Sequence, residues 1–212
     1  MIEVLDDPAE AVADLLVRAD GDIVLTGGSS PRRAYELAAE RRSDWSGVTV
    51  WFTDERCVPP DHELSNFAMT DGALLSRLQA PPRVMRMHGE LGPEEGAAAY
   101  AAALGDHPQF GLILLGLGPD AHTASLFPNR PEKNVQDRLV VSVPEAGMEP
   151  YVPRISLTLP AINAARHVVF LITGESKVEA VRRAFGDAPD PASPAAHVRP
   201  VTVFLDPAAA GR

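Results

Sequence analysis

The segment Gly116-Leu117-Gly118-Pro119-Asp120-Ala121-His122 sets an imidazole just beyond the apolar run Phe110 to Leu115, with a carboxylate two positions before it. A neutral imidazole can take a proton from water near neutral pH, and an adjacent acid can orient it. Of six histidines, His122 alone stands where a general base is expected. A histidine of this kind is more often structural, so its weight comes from the three loops in its company. Thr26-Gly27-Gly28-Ser29-Ser30-Pro31 offers consecutive backbone N–H groups, the Ser29 and Ser30 hydroxyls and a helix start, which together suit a phosphate oxyanion. It also reads as a tight strand-to-helix turn with a serine cap. Thr173-Gly174-Glu175-Ser176-Lys177 puts Lys177 in a first helical turn, where the dipole disfavours a cation unless an anion is near. Solvated Lys177 is the plainer alternative. In Thr53-Asp54-Glu55-Arg56, Asp54 can orient a sugar hydroxyl or act as a base, and the Arg56 fork can hold a phosphate or carboxylate. A self-satisfied surface ion pair is the other reading of that loop.

Several chemistries have no residues to carry them. There is no G-x-S-x-G elbow, S-x-x-K, H-E-x-x-H or P-loop lysine. His62 in Val58-Pro59-Pro60-Asp61-His62 has no second histidine at ligand spacing, so that stretch reads as a rigid loop and no metal is expected. Gly116, Gly118 and Ala121, with Asp137 about 20 residues on, formally match a dinucleotide fingerprint, but Pro119 and Pro128 leave little room for its long helix. Water activated by a histidine is the economical hydrolytic scheme.

The elements that must position these loops follow from the apolar pattern. Asp7-Pro8-Ala9-Glu10 combines a cap, a proline at the first helical position and a capping-box acid, and Val12, Leu15, Leu16 and Ala19 follow at helical spacing. Strands are expected at 23–25, 48–52, 84–87, 110–115, 139–143, 167–173 and 201–205. Helices are expected after Ser30, Ser65 and Pro93. Runs such as LILL and VVFLI lack alternation, as strands buried on both faces do. The pattern predicts a single-domain α/β sandwich over 1–212 with a mainly parallel sheet, no boundary or repeat dividing it. In such sheets ligands bind beyond the carboxyl ends of the strands, so the four loops should face one another.

Composition bounds the partners. Nineteen basic against 29 acidic residues give a net charge of −10 at pH 7, which repels nucleic-acid backbones and anionic lipid. No apolar run approaches the roughly 18 residues of a membrane helix. The acidic start MIEVLDDPAE does not resemble a signal peptide, and the lone Cys57 fits a reducing compartment, so a cytoplasmic protein is expected. The residues set no oligomeric state, and a monomer is favoured.

The segments LTGGSSPRRAY, WFTDERCVPPDHELSNFAM, LILLGLGPDAHTASLFP, RISLTLPAINAARHVVFLITGESKVEAV and, more loosely, PASPAAHVRPVTVFLDPAAA resemble, in order and over almost the whole chain, the 6-phosphogluconolactonases and their relatives the glucosamine-6-phosphate deaminases. The resemblance implies a modified Rossmann-like domain that hydrolyses 6-phospho-D-glucono-1,5-lactone to 6-phosphogluconate in the pentose phosphate pathway, with no metal or nucleotide. It implies that Gly28, Ser29, Ser30, Arg154 and Lys177 gather the phosphate, with Arg56 assisting. It further implies that Asp54 contacts the sugar and His122 is the catalytic base, and Asp120, two positions earlier, stands where it can orient or charge-stabilise that imidazole. Arg154 enters only through the resemblance, because RISLTLP alone reads as an amphipathic strand. The family motif has glycine before the histidine where this chain has Ala121, which costs on the order of 1 kcal/mol if the position needs a positive φ. The deaminases place a glutamate shortly after the histidine, and here Leu126-Phe127-Pro128 stand instead. A non-catalytic sugar-phosphate sensor is the remaining alternative.

Overall fold

The computed structural model describes residues 1–106 and 109–212. Seven parallel strands make the main sheet: β1 (Ile2–Val4), β2 (Gly21–Leu25), β3 (Val48–Phe52), β5 (Arg83–Val84), β6 (Leu112–Leu115), β9 (His167–Ile172) and β10 (Thr202–Leu205), in the order β1-β10-β9-β6-β2-β3-β5. A second, antiparallel sheet of three strands runs in the order β4 (Asp54–Arg56), β8 (Arg154–Leu157), β7 (Val140–Val143). The α/β sandwich with a mainly parallel sheet expected from the pattern is the observed fold.

Side chains alternate across the main sheet with the period of two that strands impose. Ile23, Leu25, Val50, Phe52 and Leu114 point into one core, under the helices α1 (Pro8–Arg18), α2 (Ser30–Arg41) and α3 (Asn66–Ala73). Val24, Trp51, Ile113, Leu115 and Phe170 point into the other. That face is covered by α4 (Pro93–Leu104), α5 (Leu159–Asn163), α6 (Val178–Phe185) and the small sheet. Helix α1 starts as its sequence dictates: the Asp7 carboxylate accepts from the Ala9 N–H at 3.2 Å, and Pro8 stands in the first turn. The Glu10 side chain does not close a capping box and pairs with Arg41 instead.

Three expectations are corrected. The strand placed at 84–87 is two residues long, since β5 is a sheet edge whose chain turns away after the Met85 N–H reaches Val50 O at 2.8 Å. The strand placed at 139–143 lies in the small antiparallel sheet rather than the main one. The stretch Asp54–Arg56, read as loop, is a strand because β8 supplies its partners 100 residues away.

From the centre, the chain winds outward through β2, β3 and β5, then returns to the other side of β2 at β6. The crevice between the loops after β2 and β6 is therefore the switch point where such sheets bind ligands. Two buried tyrosines fix strand ends at this rim. The Tyr35 hydroxyl donates to Thr26 O at 2.7 Å and accepts from Thr26 N at 3.1 Å. From the opposite face the Tyr100 hydroxyl donates to Phe52 O at 3.2 Å and accepts from Phe52 N at 2.8 Å. Burial holds both phenols far above their ordinary value, so they stay protonated and able to donate. Removing either hydroxyl leaves a buried donor and acceptor unpaired, at a cost of roughly 1–3 kcal/mol. Tyr35→Phe and Tyr100→Phe are each expected to lower unfolding free energy by about that amount, measured by urea denaturation, with an unchanged far-UV spectrum.

Candidate functional site

The four loops converge on one cleft of about 420 Å³, lined by Thr26 to Pro31, Asp54, Arg56, Asn66, Gly116 to Pro119, His122, Glu149, Arg154, Thr173, Ser176 and Lys177 among others. Gly28 turns at φ +101° into α2, whose first turn carries no acid, and the Ser29 side chain makes no capping bond. Two hydroxyls and a helix N-terminus are thus left facing the cleft, an arrangement that favours an anion. Ser30 Oγ lies 2.8 Å from Thr173 Oγ1, joining the first loop to the fourth. Sequence reading passed over Thr173, because its partner is 143 residues away.

Lys177 ends a 3-10 turn, Glu175–Lys177, that leads into α6, and its Nζ donates to Leu117 O at 2.7 Å. Burial pushes its ammonium below the ordinary value, and Asp120 works in the opposite direction. The fourth loop is fixed from below by Asp206, both of whose carboxylate oxygens lie 3.0 Å from Gly174 N.

Arg56 and Arg154 stand directly opposite each other in the β4–β8 pair, and both line the cleft. Like charges in facing positions destabilise a sheet, so this pair points to an anion between them. Arg154 is 4% exposed; burial, together with Arg56, lowers its pKa, while Asp54 raises it. It is held by Nη2 to Pro150 O at 2.9 Å and Nε to Val152 O at 3.2 Å. Arg56 donates through Nη1 to Leu64 O at 2.6 Å.

Asp54 lies beneath this cationic wall, nearly buried. Its Oδ2 accepts from Ser125 Oγ at 2.7 Å and stands 4.0 Å from Arg154 Nη1. Its Oδ1 accepts from Thr53 Oγ1 at 3.0 Å and Asn66 Nδ2 at 3.3 Å. Those bonds leave it little capacity beyond one further hydroxyl donor. Glu55 points the other way along β4 and accepts from Arg56 N, Ser65 Oγ, Asn66 N and Phe67 N at 2.7–3.0 Å. It is the carboxylate that seats the N-terminus of α3. Burial and the nearby Glu55 push the Cys57 thiol up to about 11, so it is no nucleophile at neutral pH.

At the other side of the cleft His122 Nδ1 lies 2.5 Å from Asp120 Oδ1, which also accepts from His122 N at 3.1 Å. Burial tends to raise the Asp120 pKa, but the hydrogen bonds and charge of His122 outweigh it and hold the carboxyl below its ordinary value. An ionised Asp120 can only accept, so the neutral ring carries its proton on Nδ1 and keeps the Nε2 lone pair for a proton transfer. Gly118 is required for this contact, since a Cβ there would overlap the imidazole. Ala121 does adopt a positive φ, +68°, while fully buried. The strain anticipated for it, on the order of 1 kcal/mol, is therefore present.

An open parallel sheet thus carries, at its switch point, a cleft lined by cations and hydroxyls with a histidine–carboxylate pair across it. Residues 3–205 match the model for the glucosamine-6-phosphate isomerases/6-phosphogluconolactonase family, and the chain belongs to that family. It is 39% identical over 194 residues to the 6-phosphogluconolactonase of Synechocystis sp., covering 86% of this chain and 79% of that one. Among solved structures, the 6-phosphogluconolactonase of Thermotoga maritima superimposes with a TM-score of 0.83 at 33% identity, covering 97% of this chain and 98% of that one. A monomeric glucosamine-6-phosphate deaminase shares the fold, with a TM-score of 0.85 at 18% identity over 100% of this chain and 98% of that one.

Asp120 supplies a stability prediction. A carboxyl whose folded pKa is depressed contributes stability above its unfolded value, and that contribution is lost as pH falls through the folded value. Asp120→Asn is expected to be less stable than the native chain at pH 7. The gap should close as pH drops below the ordinary carboxylate value of 3.8, read by thermal unfolding across pH.

Proposed function

We propose that this chain hydrolyses 6-phospho-D-glucono-1,5-lactone to 6-phosphogluconate, the oxidative pentose phosphate step. The observation that carries the reading is the facing Arg56–Arg154 pair in one cleft with the His122–Asp120 dyad. The close likeness to 6-phosphogluconolactonases over nearly the whole chain supports it.

In this reading the phosphate rests on Gly28, Ser29, Ser30, Arg56, Arg154 and Lys177. Anchoring one end of the lactone places its carbonyl carbon by His122, which lowers the entropic part of the barrier. Nε2 takes a proton from water as the water oxygen bonds to C1, and the imidazolium is stabilised by Asp120. When the tetrahedral intermediate collapses, the C1–ring oxygen bond breaks and the imidazolium returns the proton to that oxygen. The N–H groups of Gly118, Ala121 and His122 are already committed within their own loop. Oxyanion stabilisation therefore falls to loop amides outside that set. Asp54 contacts a sugar hydroxyl through its remaining lone pair, fixed by Ser125, Thr53 and Asn66. Because the lactone also opens unaided, a base and good positioning suffice for a moderate acceleration.

The deaminase reading lacks its acid, since Leu126 and Phe127 are buried apolar residues. A sensor has no use for a base whose tautomer is fixed by an ionised partner.

The test is lactone hydrolysis with lactone generated in situ, spontaneous opening subtracted and no metal added. The native chain should accelerate opening, and His122→Ala should lower kcat by about 100-fold or more while 6-phosphogluconate binding is kept. Lys177→Met should instead raise KM by tenfold or more through loss of a charge-assisted contact. Binding of 6-phosphogluconate without acceleration would mean a sensor, and ammonia from glucosamine 6-phosphate a deaminase.

A further inference from the structure

The residues that hold the base loop from behind have no part in the reading above. Ala121 is a fully buried alanine at φ +68°. An L-residue keeps such dihedrals only where its surroundings over-determine them. Here the two peptide planes that meet at its Cα are each pinned by their carbonyl oxygen. Arg183 Nη1 donates to Asp120 O at 3.0 Å, and Ser193 Oγ donates to Ala121 O at 3.0 Å. Fixing both planes fixes both φ and ψ of Ala121, and with them the direction in which His122 leaves the turn.

The two donors are themselves one unit. Arg183 is braced on Asp190, with Nε and Nη2 at 3.0 and 2.8 Å from Oδ2. Asp190 N donates to Arg183 O at 2.7 Å, and Asp190 O accepts from Ser193 N at 2.9 Å. The Asp190 Oδ1 atom accepts from Ala192 N at 2.8 Å, and Ser193 has no exposed surface. A guanidinium, a carboxylate and a hydroxyl from the end of α6 and the segment after it thus close on two consecutive carbonyls of the dyad loop.

We propose that Arg183, Asp190 and Ser193 form a clasp that imposes the left-handed backbone on Ala121 and so aims the His122 ring, making them positioning residues for the hydrolysis. The inference rests on His122 acting as the base. It also accounts for an alanine being tolerated where the resemblance leads one to expect glycine, since the clasp supplies the constraint that glycine would not need.

The test compares the native chain, Ser193→Ala and Arg183→Met, each with and without Ala121→Gly, alongside His122→Ala. Displacing a catalytic group by about 1 Å can cost up to about 100-fold, so Ser193→Ala and Arg183→Met should each lower kcat by about tenfold with KM within about twofold. Because glycine takes left-handed dihedrals freely, adding Ala121→Gly should recover at least about threefold of that loss. A part that merely supports folding would lower Tm while leaving kcat unchanged, and kcat within about twofold of native in both variants overturns the clasp. Arg183 is partly exposed, so its variant reports even if Ser193→Ala folds poorly.

A second readout does not depend on turnover. The His122 Nδ1 proton, hydrogen-bonded to Asp120, should give a protected low-field NMR resonance in the native chain. That resonance should be lost or shifted in Ser193→Ala and Arg183→Met and restored by Ala121→Gly. If it is unchanged in every variant, the clasp is wrong. If it behaves as expected while native and His122→Ala hydrolyse lactone equally, the role of His122 as base fails and the clasp stands as a structural device.

Discussion

The buried carboxylate of Asp54 is the constraint on which the cationic side of the cleft depends. It sits at the first residue after β3 and Thr53, where the chain leaves the main sheet for the small one. Its four close neighbours, Thr53, Asn66, Ser125 and Arg154, come from four different parts of the chain. Burying Arg154 without a counter-charge would cost several kcal/mol, so the carboxylate, relayed by the Ser125 hydroxyl, is what allows a guanidinium at that depth. One residue on, Glu55 uses the opposite face of the same strand to seat α3, which carries Asn66 back to Asp54. Two consecutive acids in a three-residue strand thus join the sheets and set the floor of the cleft. The period of two along a strand is what lets neighbouring carboxylates serve opposite sides.

How much of this could be read from residues alone divides along sequence distance. Gly28, Ser29, Ser30, Asp120, His122 and Lys177 lie in loops that follow strongly apolar strands, and the rule that parallel sheets bind ligands at their carboxyl ends places those loops together. Arg154 could not be found that way. Its strand alternates as any half-buried strand does, and only pairing with Asp54–Arg56 shows that the arginine turns inward toward the cleft. That pairing spans 100 residues and three- or four-residue strands, for which local propensity carries almost no information. Asn66 and Thr173 were missed for the same reason, each being an ordinary cap or loop residue until its distant partner is placed. Ala121 is the opposite case. The local motif alone singles it out, because only the left-handed backbone region makes an alanine there costly, and the chain occupies that region.

The electrostatics of the chain and of the cleft have opposite signs. A molecule of net charge −10 brings Arg56, Arg154, Lys177 and the N-terminus of α2 to one concave site. A cleft with low-dielectric walls concentrates the field of such groups, so a small dianion is attracted locally although a polyanion is repelled globally. The field alone therefore favours a small anionic ligand over nucleic acid.

One of these cations, Lys177, also lies on the element that braces the His122 loop. Lys177 stands at the N-cap position of α6 and donates to Leu117 O, inside the loop that carries Asp120 and His122, and Arg183 near the far end of α6 donates to Asp120 O. One short helix therefore touches the dyad loop at both ends, from the cleft side through Lys177 and from behind the strained turn through Arg183. The position of Lys177 relative to the imidazole is thus tied to the dyad loop through a helix as well as through the loop itself. In the proposed lactone hydrolysis, which also proceeds unaided, holding the substrate anchor and the imidazole in fixed relation is the main contribution such a scaffold makes.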